Sequence, residues 1–246
     1  MLMRVKITLS YDGSAFIGFQ IQKNETKTCQ SVAGALTRAL RHINIETTVV
    51  GSGRTDTGVH ATHQVLHVDL PLFWNDIAKL QAQLNDFLAP HIFIQRITPV
   101  DASFHARFDA KKRLYRYVIY DGAYQPFLSH YALHVNTLDV IKLNEYAQVF
   151  VGFHNFEYFK KLGGGKTKDE RTIFKAGAYR YKHLIVIYFL GDAFLRSQIR
   201  MMCGSLIKAC DGVLEYNDLI AQRDRKMKVS TALIPACGLY LSRVFY

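Results

Sequence analysis

The chain has 246 residues, 49% of them hydrophobic and 21% charged, a globular composition that excludes intrinsic disorder. Its longest uninterrupted apolar run covers about seven residues, 184–190, whereas a membrane helix needs about 20. We also recognise no secretion-type opening segment, so we expect a cytoplasmic protein. The 31 Lys and Arg outnumber the 20 Asp and Glu, a balance typical of proteins that bind phosphate and equally compatible with a merely soluble basic surface.

The positive charge is concentrated in the second half of the chain. Residues 1–107 carry 10 basic and 8 acidic side chains, whereas residues 108–246 carry 21 and 12. The four cysteines, Cys29, Cys203, Cys210 and Cys237, form no CxxC pair, so we predict neither a metal framework nor redox chemistry.

The first half is predicted to follow the order strand, helix, strand, strand, helix, strand. Alternation of apolar and polar residues marks strands, helical spacing marks the helices, and Ser31 is available to cap the first helix. The predicted elements cover residues 5–10, 32–43, 47–52, 64–70, 77–88 and 92–97.

The second half repeats this order. Its predicted elements cover residues 113–121, 140–150, 172–181, 184–190, 195–210 and 238–246. Two βαββαβ halves predict an α+β protein with two ferredoxin-like halves and mainly antiparallel sheets. We place the domains at residues 1–107 and 108–246, with a functional cleft expected between them.

Two patterns invite chemistry that their setting does not support. Gly165-Lys166-Thr167 resembles part of a phosphate-binding loop, but the required earlier glycine is replaced by Lys160. The basic stretch 160–168 is therefore either an RNA-backbone contact or an ordinary solvated loop. His60, His63 and His67 are spaced like metal ligands on a helix. They straddle a loop and a predicted strand, however, where this spacing does not place all three rings on one face.

The most informative segment is the loop Gly53-Arg54-Thr55-Asp56-Thr57-Gly58-Val59-His60-Ala61, in which one carboxylate lies among small residues beside a guanidinium. Glycines allow another backbone or a substrate to approach closely. Taken alone, an Asp in such a glycine-rich turn usually accepts local backbone hydrogen bonds.

Together with five other segments, this loop resembles the tRNA pseudouridine synthase A family. The matching motifs follow the family order along nearly the whole chain and occupy residues 11–20, 53–61, 104–107, 112–117, 194–204 and 238–241. The resemblance implies the pseudouridine synthase fold and a homodimer. It also implies a cofactor-independent and metal-independent isomerase, which flips uridines of the tRNA anticodon stem-loop (positions 38, 39 and 40) out of the stack and converts them to pseudouridine.

The resemblance also assigns residues. Asp56 matches the catalytic aspartate, Arg200 the arginine that pairs with it, and Tyr115 the tyrosine that stacks on the target uracil. Arg54 matches the loop arginine that holds the RNA or helps to displace the nucleotide. The N-terminal domain would thus carry the aspartate, and the C-terminal domain the tyrosine and arginine.

Further interpretations come from the residues themselves. Lys111, Lys112, Arg113 and Arg116 form a basic strand edge beside Tyr115, which would suit phosphates or simply be solvated. Tyr117 points to the same face as Tyr115 and is interpreted as a packing residue. On the predicted helix, Arg196 lies one turn before Arg200.

The chain departs from the family pattern in two informative places. Thr57 replaces a common alanine and adds a hydroxyl that could hydrogen-bond the Asp56 carboxylate. Residues 231–237 are altered, although we do not expect this to affect the three central residues.

Two rival functions remain open from the sequence. One is a non-catalytic RNA-binding protein or RNA chaperone, which would need no pair of Asp56 and Arg200. The other is an enzyme of the same chemistry that acts on a different RNA.

Overall fold

The computed structural model describes residues 2–23, 25–26, 29–163 and 168–246. The chain forms two compact units, Met1–Lys111 with Leu241–Tyr246, and Lys112–Tyr240. They differ from the expected domains chiefly in the last six residues, which belong to the first unit.

The first unit contains four strands and two helices before residue 111 in the described part of the chain. They are β1 (Leu2–Tyr11), α1 (Val32–His42), β2 (Val50–Gly51), β3 (His60–Pro71), α2 (Ile77–Leu88) and β4 (Ile92–Pro99). The sheet order is β4-β1-β3, with β2 beside β3, and all of these pairs are antiparallel. This is the predicted βαββαβ arrangement.

Both helices of the first unit begin at capping side chains. Ser31 accepts a hydrogen bond from the Gly34 amide, and Asp76 accepts one from the Lys79 amide. The apolar faces of α1 and α2 include Leu36, Leu40 and Leu84, which are almost fully buried. Ser31 therefore acts as predicted.

The second unit follows the predicted order with additions. Its elements are β5 (Lys112–Tyr120), β6 (Leu133–His134), α3 (Val140–Ala147), β7 (Gly152–Asn155), β8 (Glu170–Tyr181), β9 (Leu184–Gly191), α4 (Gln198–Cys210) and α5 (Tyr216–Arg223). The main sheet order is β5-β9-β8-β7, with antiparallel pairing, while β6 pairs with β5 in parallel. The final strand β10 (Leu239–Phe245) spans the division between the units.

The expected α+β class with mainly antiparallel sheets is confirmed. Sequence analysis missed β6, β7 and α5, and it placed His60 in a loop although His60 opens β3. In the described part of the chain, no helix combines the length and apolar character needed to cross a membrane.

Candidate functional site

Asp56 lies in the loop between β2 and β3. Its side chain is half-buried, while its neighbour Arg54 is exposed. The loop turns sharply, because the Val59 amide donates to the Asp56 carbonyl at 3.1 Å, and Gly58 adopts a positive φ of 77°. The carboxylate is thus carried by a hydrogen-bonded turn within the first unit.

The segment of residues 12–19 runs against this loop at very short range. A Cβ atom on Gly13 would lie 2.0 Å from the Val59 carbonyl oxygen. Gly18 has a φ of +109°, and a Cβ there would lie 3.0 Å from the Thr55 carbonyl oxygen. Only glycine permits these two approaches, which explains why a glycine-containing motif accompanies the aspartate loop.

Buried hydrogen bonds join the same two segments. The hydroxyls of Tyr11 and Thr55 are 2.8 Å apart, and the Phe19 amide donates to the Thr55 carbonyl at 3.0 Å. The Gly13 amide donates to Nδ1 of His60 at 3.0 Å. Burying a polar group without a hydrogen-bond partner costs free energy, so moving these segments apart would be unfavourable. The contacts therefore hold the residues on both sides of Asp56 in place.

The hydroxyl of Thr57 does not play the role suggested by the sequence. It donates to the carbonyl of Ile17 at 3.0 Å. A hydroxyl has one proton, so it does not also donate to the Asp56 carboxylate. Thr57 instead adds another link between the loop and residues 12–19.

Tyr115 lies on the helix-facing side of the second unit's sheet. It is 7% exposed, and its ring packs edge-to-face against Phe194, with the centroids 5.3 Å apart. Tyr117 shares this face, as expected, and is fully buried. Burial raises the pKa of its phenol, which donates to the Pro235 carbonyl at 2.7 Å, so Tyr117 is a packing residue.

Arg200 lies in the first turn of α4 and is half-buried. Its Nε donates to the Ile234 carbonyl at 2.7 Å. The helix begins only at Gln198, after Ser197 in a left-handed conformation with φ of 60°, so the prediction that Arg196 occupies a preceding helical turn is wrong.

The altered segment of residues 231–237 is in direct contact with the candidate residues. Arg200 and Tyr117 each donate to one of its carbonyl groups, on Ile234 and Pro235. A Cβ on Gly204 of α4 would lie 2.7 Å from the Ala232 carbonyl oxygen. This segment therefore fixes the orientation of the Arg200 side chain.

The basic residues of β5 do not share one surface. Arg113 lies on the same face as Tyr115 but is only 9% exposed, and its Nη1 donates to the Asp192 carbonyl at 2.7 Å. Lys112 and Arg116 are exposed on the opposite face of the strand. Lys111 is exposed just before β5. The predicted single basic edge beside Tyr115 is wrong, because the strand pleat divides it between two faces.

Two of the three histidines have structural partners on Nδ1. His60 accepts from the Gly13 amide, and His67 accepts from the Ala106 amide at 3.1 Å. Among the described residues, no group of three or more His, Cys, Asp or Glu is arranged to hold a metal ion.

The basic stretch 160–168 is only partly described, and Gly165-Lys166-Thr167 lies outside the described residues. At its flank, the Lys161 amide donates to the Arg196 carbonyl at 3.1 Å, and Nη1 of Arg196 is 3.4 Å from the Leu162 carbonyl. Lys160 pairs with Asp169.

Sequence reasoning assigned no role to Tyr11, Gly13, Gly18 and Thr55, although all four lie in the recognised motifs. The two glycines were a usable signal, because glycine beside a functional loop commonly marks a close backbone approach. Asp56 belongs to the first unit, and Tyr115 and Arg200 belong to the second. The pairing of Arg200 with Asp56 stays a prediction.

The chain matches known proteins over its whole length. A family profile described as tRNA pseudouridine synthase matches residues 7–109 and 146–246. Proteins named tRNA pseudouridine synthase A are 38% identical in Campylobacter jejuni (all of both chains) and 38% identical in Helicobacter pylori (98% of each). The relative of that name in Wolinella succinogenes is 37% identical over 97% of this chain and 92% of its own length.

One solved structure, titled "Crystal Structure of a Cbf5-Nop10-Gar1 Complex", aligns with 82% of this chain and 44% of its own. Its TM-score is 0.38 and its sequence identity is 10%, values too low for us to infer a shared fold or function.

These matches and the α+β fold define an isomerase of the pseudouridine synthase class. The chain belongs to the tRNA pseudouridine synthase family.

Proposed function

We propose that this protein isomerises uridine to pseudouridine in the anticodon stem-loop of tRNA, at positions 38, 39 and 40, with Asp56 as the essential carboxylate. The observation that carries the proposal is the construction of the Asp56 loop. In a member of this family, a half-buried carboxylate lies on a turn held by two close glycine contacts and by the Tyr11–Thr55 hydrogen bond. Such rigid support suits a reacting group.

The reaction is an exchange of bonds within one nucleotide. The bond between C1′ and N1 breaks, the uracil turns, and a bond between C1′ and C5 forms. C5 loses a proton and N1 gains one, so the overall reaction needs no oxidant, reductant or second substrate. The residues must therefore stabilise a detached base and move a proton.

Asp56 and Arg200 have complementary roles in this proposal. Removing a carboxylate from water disfavours its charged form, so a reactive aspartate needs a cation or hydrogen-bond donors. Arg200 would supply that charge. The Ile234 carbonyl accepts from Nε of Arg200 and so helps to orient the guanidinium. A guanidinium can bind a carboxylate through two parallel hydrogen bonds.

Tyr115 would stack on the flipped uracil and take part in proton transfer at C5. Its small exposed area restricts access, so the base would enter beside Phe194. A target base inside a duplex has to be flipped out before an enzyme can act on it, and an aromatic ring in a pocket suits that step.

The basic residues would bind the RNA backbone. Arg54 is exposed next to Asp56 and would hold or displace the target nucleotide. Lys111, Lys112 and Arg116 are exposed and available to phosphates, whereas Arg113 contributes mainly through its contact with the Asp192 carbonyl. This division supports unequal contributions among the four residues of the basic segment.

The remaining expectations follow from the family. We propose that the protein acts in the cytoplasm as a homodimer, without metal or cofactor. The N-terminal domain would carry the reacting carboxylate, and the C-terminal domain would carry the stacking tyrosine and the arginine.

The test is to incubate the protein with an unmodified tRNA transcript and to map pseudouridine by base-specific chemistry. We expect product at positions 38–40 with the wild type. Asp56→Ala should lower the rate at least about 10³-fold, with tRNA affinity nearly unchanged. Asp86→Ala is the matched control, since it removes one exposed carboxylate from α2. Tight binding without product would favour a non-catalytic RNA-binding protein, and product only in another RNA would replace the proposed substrate.

A further inference from the structure

Successive side chains of β5 point to opposite faces of the second unit's sheet. Tyr115 pairs with Phe189 of β9, and both are buried on the helix-facing side. Arg116 pairs with Tyr188, and both lie on the other side. The face that would contact the target uracil is therefore not the face that carries Lys112 and Arg116.

This opposite face, here called the outer face, combines cations with aromatic rings. It is defined by Lys112, Arg116, Phe174, Lys175, Tyr179 and Tyr188. The three cations are exposed, and Phe174 and Tyr179 are 40% and 41% exposed.

The aromatic rings of the outer face contact a cation, the backbone of β8 and one another. Nζ of Lys112 lies 4.8 Å from the centroid of the Phe174 ring. Tyr188 crosses above Gly177, where a Cβ would be 2.8 Å from its hydroxyl oxygen, and Tyr179 lies beside it with the ring centroids 6.2 Å apart. Aromatic rings and positive charges are therefore neighbours on this face.

The strands that form this face carry little negative charge. β5 and β9 contain no Asp or Glu, and the only one in β8 is Glu170 at its start, where it accepts from Asn155. Among the residues that the structure describes, none of the three cations forms an ion pair.

We propose that the outer face is a second RNA-binding surface, which takes the phosphate backbone and unstacked bases of the tRNA substrate away from the target nucleotide. Phosphates suit the three cations, and bases suit the exposed rings, which is how aromatic sheet faces bind single-stranded RNA. A second copy docked by the same face would bring three unpaired cations against three others, which is unfavourable. The identity of the RNA rests on the proposed function, whereas the surface itself rests on the outer face.

The experiment measures binding of an unmodified tRNA transcript over a range of salt concentrations. The test variant is the triple change Lys112→Ala, Arg116→Ala and Lys175→Ala. The control is Lys79→Ala, Lys182→Ala and Lys226→Ala, which removes the same charge from exposed positions elsewhere. A third variant, Phe174→Ala with Tyr179→Ala, removes the two most exposed of the three aromatic rings. Thermal melting checks folding.

The outer-face triple should raise the Kd roughly 10-fold or more near 0.1 M salt, and lower the slope of log Kd against log salt by about 2 to 3. The control should change the Kd less than about threefold. The aromatic variant should weaken binding with little change in slope, because stacking is not a charge interaction.

Equal effects of the two triples, or no effect of the outer-face triple, would overturn the proposal. Dissociation of an oligomer by the outer-face variants, with unchanged RNA affinity of each subunit, would identify the face as an interface between copies and also overturn it. Binding needs no turnover, so an inactive protein that binds RNA here would contradict the proposed function alone. If the protein makes pseudouridine and the outer-face triple change does not weaken tRNA binding, this inference is contradicted and the proposed function is not.

Discussion

Two hydroxyl groups in the first unit determine where the backbone of the Asp56 loop lies. Tyr11 comes from the end of β1, and Thr55 directly precedes Asp56. Their hydrogen bond is buried, and the Thr55 carbonyl also accepts from Phe19. Both side chains are buried, so we assign them positioning roles.

Tyr11→Phe and Thr55→Val should each lower kcat by about 10-fold, because loss of the hydrogen bond loosens the placement of Asp56. Stability should fall by about 1 kcal/mol. KM for tRNA should change little, and Thr55→Ser should restore kcat. Steady-state kinetics and thermal melting curves of each variant test this prediction. A loss of stability with unchanged kcat would show that the Tyr11–Thr55 hydrogen bond has only a structural role.

Arg200→Lys keeps the charge but not the planar donor set. Lysine has no Nε–H to donate to the Ile234 carbonyl while its end group faces a carboxylate. We expect kcat to fall between about 10-fold and 100-fold. Arg196→Lys is the control, since that side chain is exposed and its hydrogen bond to the Leu162 carbonyl is long, at 3.4 Å, so kcat should stay within about twofold. Equal kinetics of the two variants would refute the positioning of Arg200 by residues 231–237.

At the scale of elements, strands and helices with long periodic patterns could be predicted, whereas short or polar ones could not. β1 buries every second residue from Val5 to Tyr11, and α1 buries its large apolar residues, which recur at helical spacing. The spacing of apolar residues in the sequence therefore predicts both elements. β6 and β7 have two and four residues, too few for a period. Only Leu219 and Gln222 are buried in α5, so its one visible signal was the capping box of Glu215 and Asp218.

The candidate residues were assigned from specific motifs and their roles stay predictions, whereas the contacts around them could not be predicted from the sequence. The sequence shows Lys112 and Arg116 beside Tyr115, yet the pleat of β5 sends them to the other face. It also does not show that Arg200 bonds to Ile234, because that contact joins residues 34 positions apart.

Substitution of Gly13 tests whether activity depends on the close approach of residues 12–19 to the Asp56 loop. Gly13→Ala would place a Cβ 2.0 Å from the Val59 carbonyl oxygen, so the loop must shift. Activity should fall at least about 100-fold, since a displacement of about 1 Å has that effect. Gly212→Ala, where φ is +75° and nothing lies within 4 Å, should cost about 1 kcal/mol of stability and leave activity intact. Normal turnover by Gly13→Ala would show that the loop tolerates displacement.

For the molecule as a whole, two partly or fully buried histidines and a paired carboxylate contribute to the response to acid. Burial is the main cause that lowers the pKa of His63 and His67, and a hydrogen bond from Arg4 lowers the pKa of Asp69. Each group binds a proton more readily when unfolded. The free energy of unfolding should therefore have its full value above pH 6.5. It should fall below pH 6.5 as the histidines take up protons, and fall again below about pH 4 as the carboxylate does.

Replacing His67 by Gln tests the first of these steps. Protonation of His67 at Nδ1 would break its hydrogen bond from the Ala106 amide. The wild type should lose unfolding free energy between pH 7 and pH 5, and His67→Gln should lose less over that range. Urea titrations at several pH values measure this, and parallel pH profiles would exclude His67 as a cause.

The most direct test of the central claim follows the hydrogen on C5 of uridine. Forming the bond between C1′ and C5 replaces that hydrogen, so a tRNA transcript labelled with tritium at C5 should release one tritium for each pseudouridine made. We expect release by the wild type in a chelator-containing buffer without added nucleotide, and at least about 10³-fold slower release by the near-isosteric Asp56→Asn. No release by the wild type, or release by Asp56→Asn at the wild-type rate, would contradict the claim.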